Sequence, residues 1–249
     1  MIYLVLPAYN EERDLGALLE RVAAALPPEK VNYRVLLVND GSEDGTFTLA
    51  RAMAERMPLE LIDHGYNRGL GQAILTGLRR GNMLAGHADV VVTMDADNTH
   101  DPALIPAMAE KIASGYDVVI ASRYENGGKE IGLSWLRHVF SGGASFLLRL
   151  FFPITGARDY TCGYRAYSGD LLHRAFAAYG DGLVQERGFT CMAEILIKLG
   201  KLGARVTEVP LVLRYDYKSG PSKMKVMRTI WRYGVLITRS LFQPAPKMG

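Results

Sequence analysis

The first half of this 249-residue chain alternates short apolar runs with amphipathic helical patterns. The run from Ile2 to Leu6 predicts a strand, and apolar residues at helical spacing from Leu15 to Leu26 predict the helix after it. Further strands are predicted at Tyr33 to Val38, Leu59 to Ile62, Val90 to Met94 and Val118 to Ala121, with helices at Thr46 to Met57, around Ala73 to Leu78 and from Pro102 to Ile112. This alternation is typical of βαβ units and predicts an α/β fold.

The second half loses this rhythm. We expect one domain over residues 1–249, in which 1–124 form a nucleotide-binding half, 125–222 an acceptor half, and 223–249 a C-terminal amphipathic helix and tail. No stretch reaches the roughly 18 apolar residues of a spanning helix, and Met1 leads into the first strand without a basic leader, which favours a cytoplasmic protein. A net charge of +3 does not indicate a nucleic-acid partner. Cys162 and Cys191 fit reduced, buried thiols.

Polar residues follow three of the predicted strands, at Pro7 to Glu11, Val38 to Ser42 and Asp95 to Asn98. Ligands of open parallel sheets bind beyond the carboxyl ends of the strands, so we expect these three segments to converge on one crevice.

Asp95 and Asp97, two residues apart at a strand end, can both turn toward one hard cation that bridges phosphate groups. The alternative is that they only cap a turn, because aspartate is common in turns. Asp40, followed by Gly41 and Ser42, could accept hydrogen bonds from a base or ribose, or belong to an ordinary turn.

The sequence resembles the family-2 glycosyltransferases of the GT-A fold, most closely their dolichol- and polyprenyl-phosphate mannose synthase branch, over nearly its whole length. The motifs that carry the resemblance are Pro7-Ala8-Tyr9-Asn10-Glu11, Asn39-Asp40-Gly41-Ser42, Asn67-Arg68-Gly69-Leu70-Gly71, Asp95-Ala96-Asp97, Ala121-Ser122-Arg123-Tyr124, Cys162-Gly163-Tyr164-Arg165 and Gly220-Pro221-Ser222-Lys223-Met224. The resemblance implies a Rossmann-like nucleotide-binding core with a mixed central sheet and amphipathic, membrane-proximal helices. It also implies inverting transfer of a hexose, from a donor of the GDP-mannose or UDP-glucose type to a polyprenyl or dolichyl phosphate, with Mg²⁺ or Mn²⁺.

Site residues follow from the same resemblance. The nucleotide would be bound by Pro7, Ala8, Tyr9, Glu11, Asp40, Arg68, Gly71, Asp95 and Ala96, and the metal by Asp95 and Asp97 with Thr99 as a weak third ligand. Arg123, Arg137, Ser141 and Lys223 would meet the acceptor phosphate, and Asp97, Arg123 and Lys223 would be catalytic. The branch usually has Asp where Asn39 stands and Gln where Thr99 stands, and the Thr99 hydroxyl is a weaker metal ligand than an amide carbonyl.

The supply of cations favours a phosphate acceptor. A sugar hydroxyl needs a positioned base, whereas a phosphate monoester carries its own charge and needs cations to position it. Arg165 and Lys218 add to the cations named above. For a soluble hydroxyl acceptor, Glu194 is a possible base, although a carboxylate on a helix surface is the simpler interpretation. Gln185-Glu186-Arg187-Gly188 lacks the spacing of the Gln-x-x-Arg-Trp motif of processive synthases.

Two stretches, Gly132 to Pro153 and Lys223 to Leu241, combine apolar residues at helical spacing with basic residues. Such helices lie in a bilayer interface or pack on their own domain. With the resemblance, they indicate a peripheral protein on the inner face of the membrane that could work with a separate membrane-anchor or flippase partner.

Three other functions were weighed. An NAD-type oxidoreductase fails because Ile74 stands where the third glycine of the dinucleotide motif belongs. Asp95-Ala96-Asp97-Asn98-Thr99 matches the nucleophile motif of haloacid-dehalogenase-type phosphatases, although that motif normally ends the first strand. A non-catalytic, membrane-docked nucleotide-binding subunit would follow if the metal site were incomplete at Thr99.

Overall fold

The computed structural model describes residues 1–27, 29–132, 135–217 and 226–242, without the side chains of 135–141 and 226–228. Its strands are β1 (Ile2–Ala8), β2 (Tyr33–Asn39), β3 (Leu59–Asp63), β4 (Val90–Thr93), β5 (Val118–Ser122), β6 (Lys129–Ile131), β7 (Arg165–Ser168), β8 (Val206–Pro210) and β9 (Val212–Arg214). Its α-helices are α1 (Glu12–Ala25), α2 (Thr46–Ala54), α3 (Leu70–Leu84), α4 (Ile105–Ala113), α5 (Trp135–Phe151), α6 (Gly169–Tyr179), α7 (Cys191–Lys201) and α8 (Val226–Phe242). Short 3₁₀ turns lie at Pro102–Leu104, Gly180–Leu183 and Tyr215–Tyr217.

Seven strands form one mixed sheet in the order β3-β2-β1-β4-β7-β5-β8. Strands β1 to β4 are parallel, β7 runs antiparallel between β4 and β5, and β8 is parallel to β5. Strands β6 and β9 pair separately as a small parallel sheet. The predicted α/β fold with a mixed central sheet is confirmed, and β7 and β8, which follow residue 124, join the same sheet as the first half.

Burial explains why the first half was readable from its sequence. All seven residues of β1 and all four of β4 are buried, as expected for parallel strands covered on both faces. Helix α4 buries Ile105, Met108 and Ile112 as predicted. Its start also follows the prediction, since the Asp101 carboxylate accepts the backbone N–H of Ala103 at 3.2 Å, although the first turn is 3₁₀.

One helix ends earlier than predicted. The pattern predicts a helix from Thr46 to Met57, but α2 ends at Ala54. Pro58 follows Met57, and a residue that precedes proline is disfavoured in the helical region. The last residues therefore turn toward β3.

Helices α5 and α8 pack against each other and leave apolar side chains in solvent. The exposed residues on α5 include Phe146 and Leu150, and those on α8 include Trp231 and Phe242. In the described ranges, no helix is both long enough and apolar enough to cross a bilayer. Cys162 and Cys191 are free and buried, as predicted.

Candidate active site at the crevice beside strand β1

The candidate site lies where the strand order reverses. From β1 the chain first builds β2 and β3 on one side of the sheet and then β4 on the other side. The β1–β4 ladder ends at Val5 and Thr93, with one further bond of 3.1 Å from the Met94 N–H to the Val5 carbonyl. Beyond it the segments that hold Tyr9 and Asp95 continue past the sheet edge. Open α/β sheets bind their ligands at such switch points. Because β2, β1 and β4 are neighbouring parallel strands, the three polar segments leave the sheet at the same edge, as their predicted convergence requires.

Hydrogen bonds join the segments that follow β1 and β2. The Asn10 N–H donates to Ser42 Oγ at 3.0 Å, and Asn10 Oδ1 accepts the Glu43 N–H at 2.8 Å. Asn10 has a φ of 53°, in the left-handed region that asparagine tolerates. The Glu11 N–H donates to Thr46 Oγ1 at 2.8 Å. These hydrogen bonds fix the segments after β1 and β2 relative to each other, and the two segments form one wall of the crevice.

Four of the predicted nucleotide ligands form that wall. Pro7 and Ala8 are buried within β1, so they can contribute only backbone and shape, while Tyr9 and Glu11 are half-buried. Their predicted contacts with a nucleotide stay predictions.

Asp40 is buried and holds the turn before α3. Its Oδ1 accepts the Arg68 N–H at 2.9 Å and lies 2.8 Å from His64 Nδ1, and its Oδ2 accepts the Gly69 N–H at 2.9 Å. The other ring nitrogen of His64 lies 3.0 Å from Thr76 Oγ1. Asp40 therefore shapes the site by orienting its neighbours, and its predicted contact with the nucleotide would come in addition. Sequence reasoning missed His64, because nothing near it in the chain links it to Asp40.

The Asn39 side chain explains why an amide replaces the usual carboxylate. Its Nδ2 donates to Asp63 Oδ1 at 2.7 Å, and its Oδ1 accepts the Ser42 N–H at 3.3 Å. An aspartate at position 39 would place a second carboxylate against Asp63, and like charges at that distance repel.

Gly71 has a steric reason to be glycine. Its N–H donates to the Arg187 carbonyl at 3.0 Å, and a Cβ would lie 1.8 Å from the Glu186 carbonyl oxygen. The Arg68 side chain is exposed, with its guanidinium 4.8 Å from the centre of the Tyr66 ring. The predicted nucleotide contacts of Arg68 and Gly71 are untested by this geometry.

The two candidate metal carboxylates follow β4 directly. Asp95 and Asp97 are half-buried, and Ala96 between them is buried. Asp97 Oδ1 accepts hydrogen bonds from the Thr99 hydroxyl at 2.7 Å and from the Thr99 N–H at 3.3 Å. The Asp95 N–H donates to His100 Nδ1 at 3.3 Å. Thr99 thus orients Asp97, and the weak metal bond predicted for its hydroxyl is not needed for that role.

The turn itself is supported from α1. Asn98 has a φ of 60°, and its Oδ1 accepts a hydrogen bond of 2.7 Å from Arg21 Nη1. Arg21 Nη2 also donates to Asp101 at 3.1 Å. The sequence offers no local signal for this distant contact.

A divalent cation fits this arrangement if substrate completes its coordination. Among residues 1–27, 29–132, 135–217 and 226–242, no group of three or more His, Cys, Asp and Glu side chains is placed to hold a metal. Mg²⁺ is typically bound by one or two carboxylates together with substrate phosphates rather than by an all-protein cage. Asp95 and Asp97 match that donor set.

Arg123, at the end of β5, is committed to protein partners. Its Nε and Nη2 donate to the two oxygens of Asp159 at 2.7 Å each, Nη2 also donates to Thr161 Oγ1 at 2.6 Å, and Nη1 donates to Glu130 at 3.0 Å. Burial alone would raise the pKa of Asp159, but the paired Arg123 guanidinium lowers it below its ordinary value. Four of the five N–H groups of Arg123 are used in these bonds. Arg123 therefore joins the end of β5 to Glu130, Asp159 and Thr161. Its acceptor role stays a prediction.

The structure corrects the assignment of Arg165. Its side chain is fully buried, with Nη1 donating to the Met192 carbonyl at 2.6 Å and Nη2 to the Tyr160 carbonyl at 2.8 Å. A guanidinium bonded to core carbonyls cannot meet an acceptor phosphate. The expectation was wrong because a cation count says nothing about which side chains are buried.

Glu194 is also corrected. It is fully buried in α7 rather than on a helix surface, and its carboxylate accepts four hydrogen bonds, which leaves it unsuited to act as a base. Of the other predicted acceptor residues, Arg137 and Ser141 lie in α5 but their side chains fall outside the described residues, as do Lys218 and Lys223 entirely.

Comparison with known proteins places this geometry in context. The chain is 32% identical over 234 residues to a dolichol-phosphate mannosyltransferase of Pyrococcus furiosus, which covers 93% of this chain and 61% of that one. It is 33% identical over 224 residues to an undecaprenyl-phosphate mannosyltransferase of Micrococcus luteus (90% and 87%), and 32% identical over 227 residues to a polyprenol monophosphomannose synthase of Mycolicibacterium smegmatis (89% and 80%). The chain thus spans less than two thirds of the Pyrococcus protein.

A solved structure shares the fold. Glucosyl-3-phosphoglycerate synthase from Mycobacterium tuberculosis, in complex with Mn²⁺, UDP and phosphoglyceric acid, superposes with a TM-score of 0.64 at 19% identity, over 97% of this chain and 77% of that one. This likeness confirms the GT-A fold. The family model for glycosyl transferase family 2 matches residues 3–176, and the chain therefore belongs to glycosyl transferase family 2.

Proposed function

We propose that the protein transfers a hexose from a nucleoside-diphosphate sugar to a polyprenyl or dolichyl phosphate, with inversion at the anomeric carbon. The observation that carries the proposal is that β1, β2 and β4 are neighbouring parallel strands, so that the segments after them, including Asp95 and Asp97, leave the sheet at the same edge. The three relatives are named for mannosyl transfer involving dolichol, undecaprenyl or polyprenol phosphates, which supports this acceptor class and a donor of the GDP-mannose type. A UDP-glucose type donor is the second possibility.

On the donor side, Asp95 and Asp97 would hold Mg²⁺ or Mn²⁺. The bound ion would neutralise charge that develops on the leaving diphosphate. Thr99 keeps Asp97 oriented, and His100 accepts from the Asp95 backbone, so the carboxylates need little rearrangement when substrate binds. The glucosyl-3-phosphoglycerate synthase structure, which has the same fold and contains Mn²⁺ with UDP, supports the use of a divalent cation.

On the acceptor side, the buried and fully hydrogen-bonded state of Glu194 favours a phosphate nucleophile. Glu194 was the candidate base for a hydroxyl acceptor, and its burial and four hydrogen bonds remove it from that role. A phosphate monoester needs cations rather than a base. Lys223, Arg137 and Lys218 remain our candidates for those cations, with the Ser141 hydroxyl beside them.

The exposed apolar side chains of α5 and α8 fit a lipid acceptor. Phe146 is 57% exposed, Leu150 65%, Trp231 73% and Phe242 83%. Helices with such a face bind in the headgroup region of a bilayer. We therefore place the protein on the cytoplasmic side of the membrane as a peripheral enzyme, and a separate membrane-anchor or flippase partner would be compatible with that position.

Family membership argues against the phosphatase and oxidoreductase alternatives, and so does topology. Asp95 follows the fourth strand of the chain, not the first, and the Gly69–Gly71 turn is packed against backbone. Hydrolysis of a generic aryl phosphate by the protein, without a sugar donor, would support the phosphatase alternative.

The decisive experiment is a donor panel assayed against polyprenyl phosphate and against a soluble sugar, with and without a chelator. We expect transfer only to the lipid phosphate, loss of activity with the chelator, and recovery with Mg²⁺ or Mn²⁺. Asp97→Ala should abolish turnover and leave the protein folded, because a half-buried crevice carboxylate contributes little to the core. The matched control is Asp181→Ala, which removes a surface carboxylate paired with Arg79.

Two results would overturn the proposal. Full activity of a folded Asp97→Ala protein would show that the site is misassigned. Transfer to the soluble sugar alone would show that the acceptor class is wrong.

A further inference from the structure

A buried cluster of charges lies outside the crevice, where α7 meets α8. Glu194 Oε2 accepts the backbone N–H groups of Gln185 and Glu186 at 2.8 Å each. Its Oε1 accepts Lys198 Nζ and Arg239 Nη2 at 2.7 Å each. Every one of these contacts is charge-assisted, and Glu194 is fully buried. The carboxylate therefore ties the segment 185–187 to both helices.

A second buried carboxylate completes the cluster. Glu186 Oε2 accepts the Thr190 hydroxyl at 2.8 Å, and its Oε1 lies 3.3 Å from Arg239 Nη2. Arg239 on α8 thus contacts both glutamates. Buried carboxylates are costly unless they are paired and hydrogen-bonded, so the cluster holds segment 185–187 in one position relative to α8.

That segment lies directly on the turn before α3. The Arg187 carbonyl accepts the Gly71 N–H at 3.0 Å, and a Cβ at Gly69 would come within 2.8 Å of the same oxygen. On its other side the turn is held by Asp40, through the N–H groups of Arg68 and Gly69. The turn is therefore clamped between Asp40 and the backbone of segment 185–187.

We infer that Glu194 and Arg239 are positioning residues for the nucleotide site. They hold segment 185–187 against the Gly69–Gly71 turn and so fix the position of that turn, where Arg68 and Gly71 are predicted to bind the donor nucleotide. The inference rests on the proposed function.

The test measures nucleotide binding separately from transfer. GDP and UDP, each with Mg²⁺ or Mn²⁺, are titrated calorimetrically into the full chain and into Arg239→Met, Arg239→Lys and Lys201→Met. Lys201 is the matched control, because its Nζ donates to the Ser240 carbonyl at 2.8 Å and so contacts the same helix α8 at the residue next to Arg239. Lys201→Met should lower the melting temperature without changing Kd by more than about twofold.

We expect Arg239→Met to weaken the Kd of the preferred nucleotide by about tenfold, by analogy with the lower end of the effect seen for residues that orient metal ligands. The donor KM should rise in parallel while the lipid-phosphate KM stays constant, and Arg239→Lys should recover part of the affinity. If Arg239→Met does not fold, Thr190→Val makes the same test, since it removes only the hydroxyl that orients Glu186 and should also weaken nucleotide binding.

Unchanged nucleotide affinity in a folded Arg239→Met protein, or equal weakening by Lys201→Met, would overturn the inference and leave the proposed function intact. If the wild-type chain binds neither nucleotide, the proposed function fails and the inference fails with it.

Discussion

Replacing Arg123 by methionine separates its structural role from the acceptor role that its motif implies. The change keeps an apolar stem and removes the guanidinium that faces Asp159, a carboxylate with no solvent exposure. Breaking a buried pair by removing one partner costs about 3–5 kcal/mol. Asp159 would still accept three backbone N–H groups, from residue 123 at 3.3 Å, Thr161 at 3.1 Å and Cys162 at 3.0 Å. We therefore expect the lower end, about 3 kcal/mol, or about 6–12 °C in melting temperature for a chain of this size.

The stability difference between Arg123→Met and the wild type should depend on pH, in a direction set by the pKa of Asp159. In the wild type the folded-state pKa of Asp159 is lowered, so its contribution is present above the unfolded pKa of about 3.9 and is lost only as pH falls through the folded value. Without Arg123, burial dominates and raises the folded-state pKa, so the variant gains stability as pH falls from 8 toward 5. The difference in unfolding free energy should therefore be largest at pH 8 and narrow toward pH 5.

The assay is urea unfolding followed by circular dichroism at pH 5, 6.5 and 8. Arg158→Met is the matched control: Arg158 is 54% exposed, and its ion pair with Glu125 at 3.2 Å lies at the surface, where such pairs contribute about 0–1 kcal/mol. In the double variant Arg123→Met/Asp159→Asn, the loss of unfolding free energy should be smaller than the sum of the losses in the two single variants. An Arg123→Met protein as stable as the wild type, or a difference independent of pH, would refute the structural role.

Three further results are expected. Thr99→Val should raise the Mg²⁺ or Mn²⁺ concentration needed for half-maximal activity by about tenfold, because Asp97 loses its 2.7 Å hydrogen bond; an unchanged metal requirement in titration would count against this. Gly71→Ala should lower the melting temperature or abolish folding, since its Cβ would lie 1.8 Å from a backbone oxygen, and a variant that melts like the wild type would show that the contact can relax. Cys162 and Cys191 should resist a thiol reagent at pH 8 in the native protein and both react in guanidinium, because burial raises the pKa of Cys162 to about 12 and that of Cys191 further.

Local periodicity was enough to place the first half of the fold. Strands β1 and β4 are buried throughout, and β2 is buried at every residue except Arg34; α1 and α4 bury the faces that their spacing predicts. Strand β7 escaped detection because its four residues begin with an arginine, whose buried guanidinium is hydrogen-bonded only through tertiary contacts with backbone carbonyls. Its position between β4 and β5 is set by pairing across the sheet, which no local pattern encodes.

The candidate site also contains some residues that the sequence predicts and some contacts that it does not. The Asp95 and Asp97 pair was predictable because its chemistry is local to one strand end. The bonds of Asp40 to His64 and of Arg21 to Asn98 join residues 24 and 77 positions apart, so only the folded chain reveals them. Glu194 sits in an apolar helix that is buried all round, where a buried carboxylate is the exception to the usual rule for charged residues.

The insertion of β7 also has a consequence for the order in which the protein can assemble on the ribosome. Strands β1 to β4 can pair as they emerge, but within the described residues the partners of β5 are β7 and β8, made about 45 and 85 residues later. Until then the nascent chain carries an unpaired β5 and an open edge on β4, both apolar. Those edges are where premature association with another chain would begin, so slow translation between residues 122 and 165 should increase aggregation more than an equal pause after residue 210.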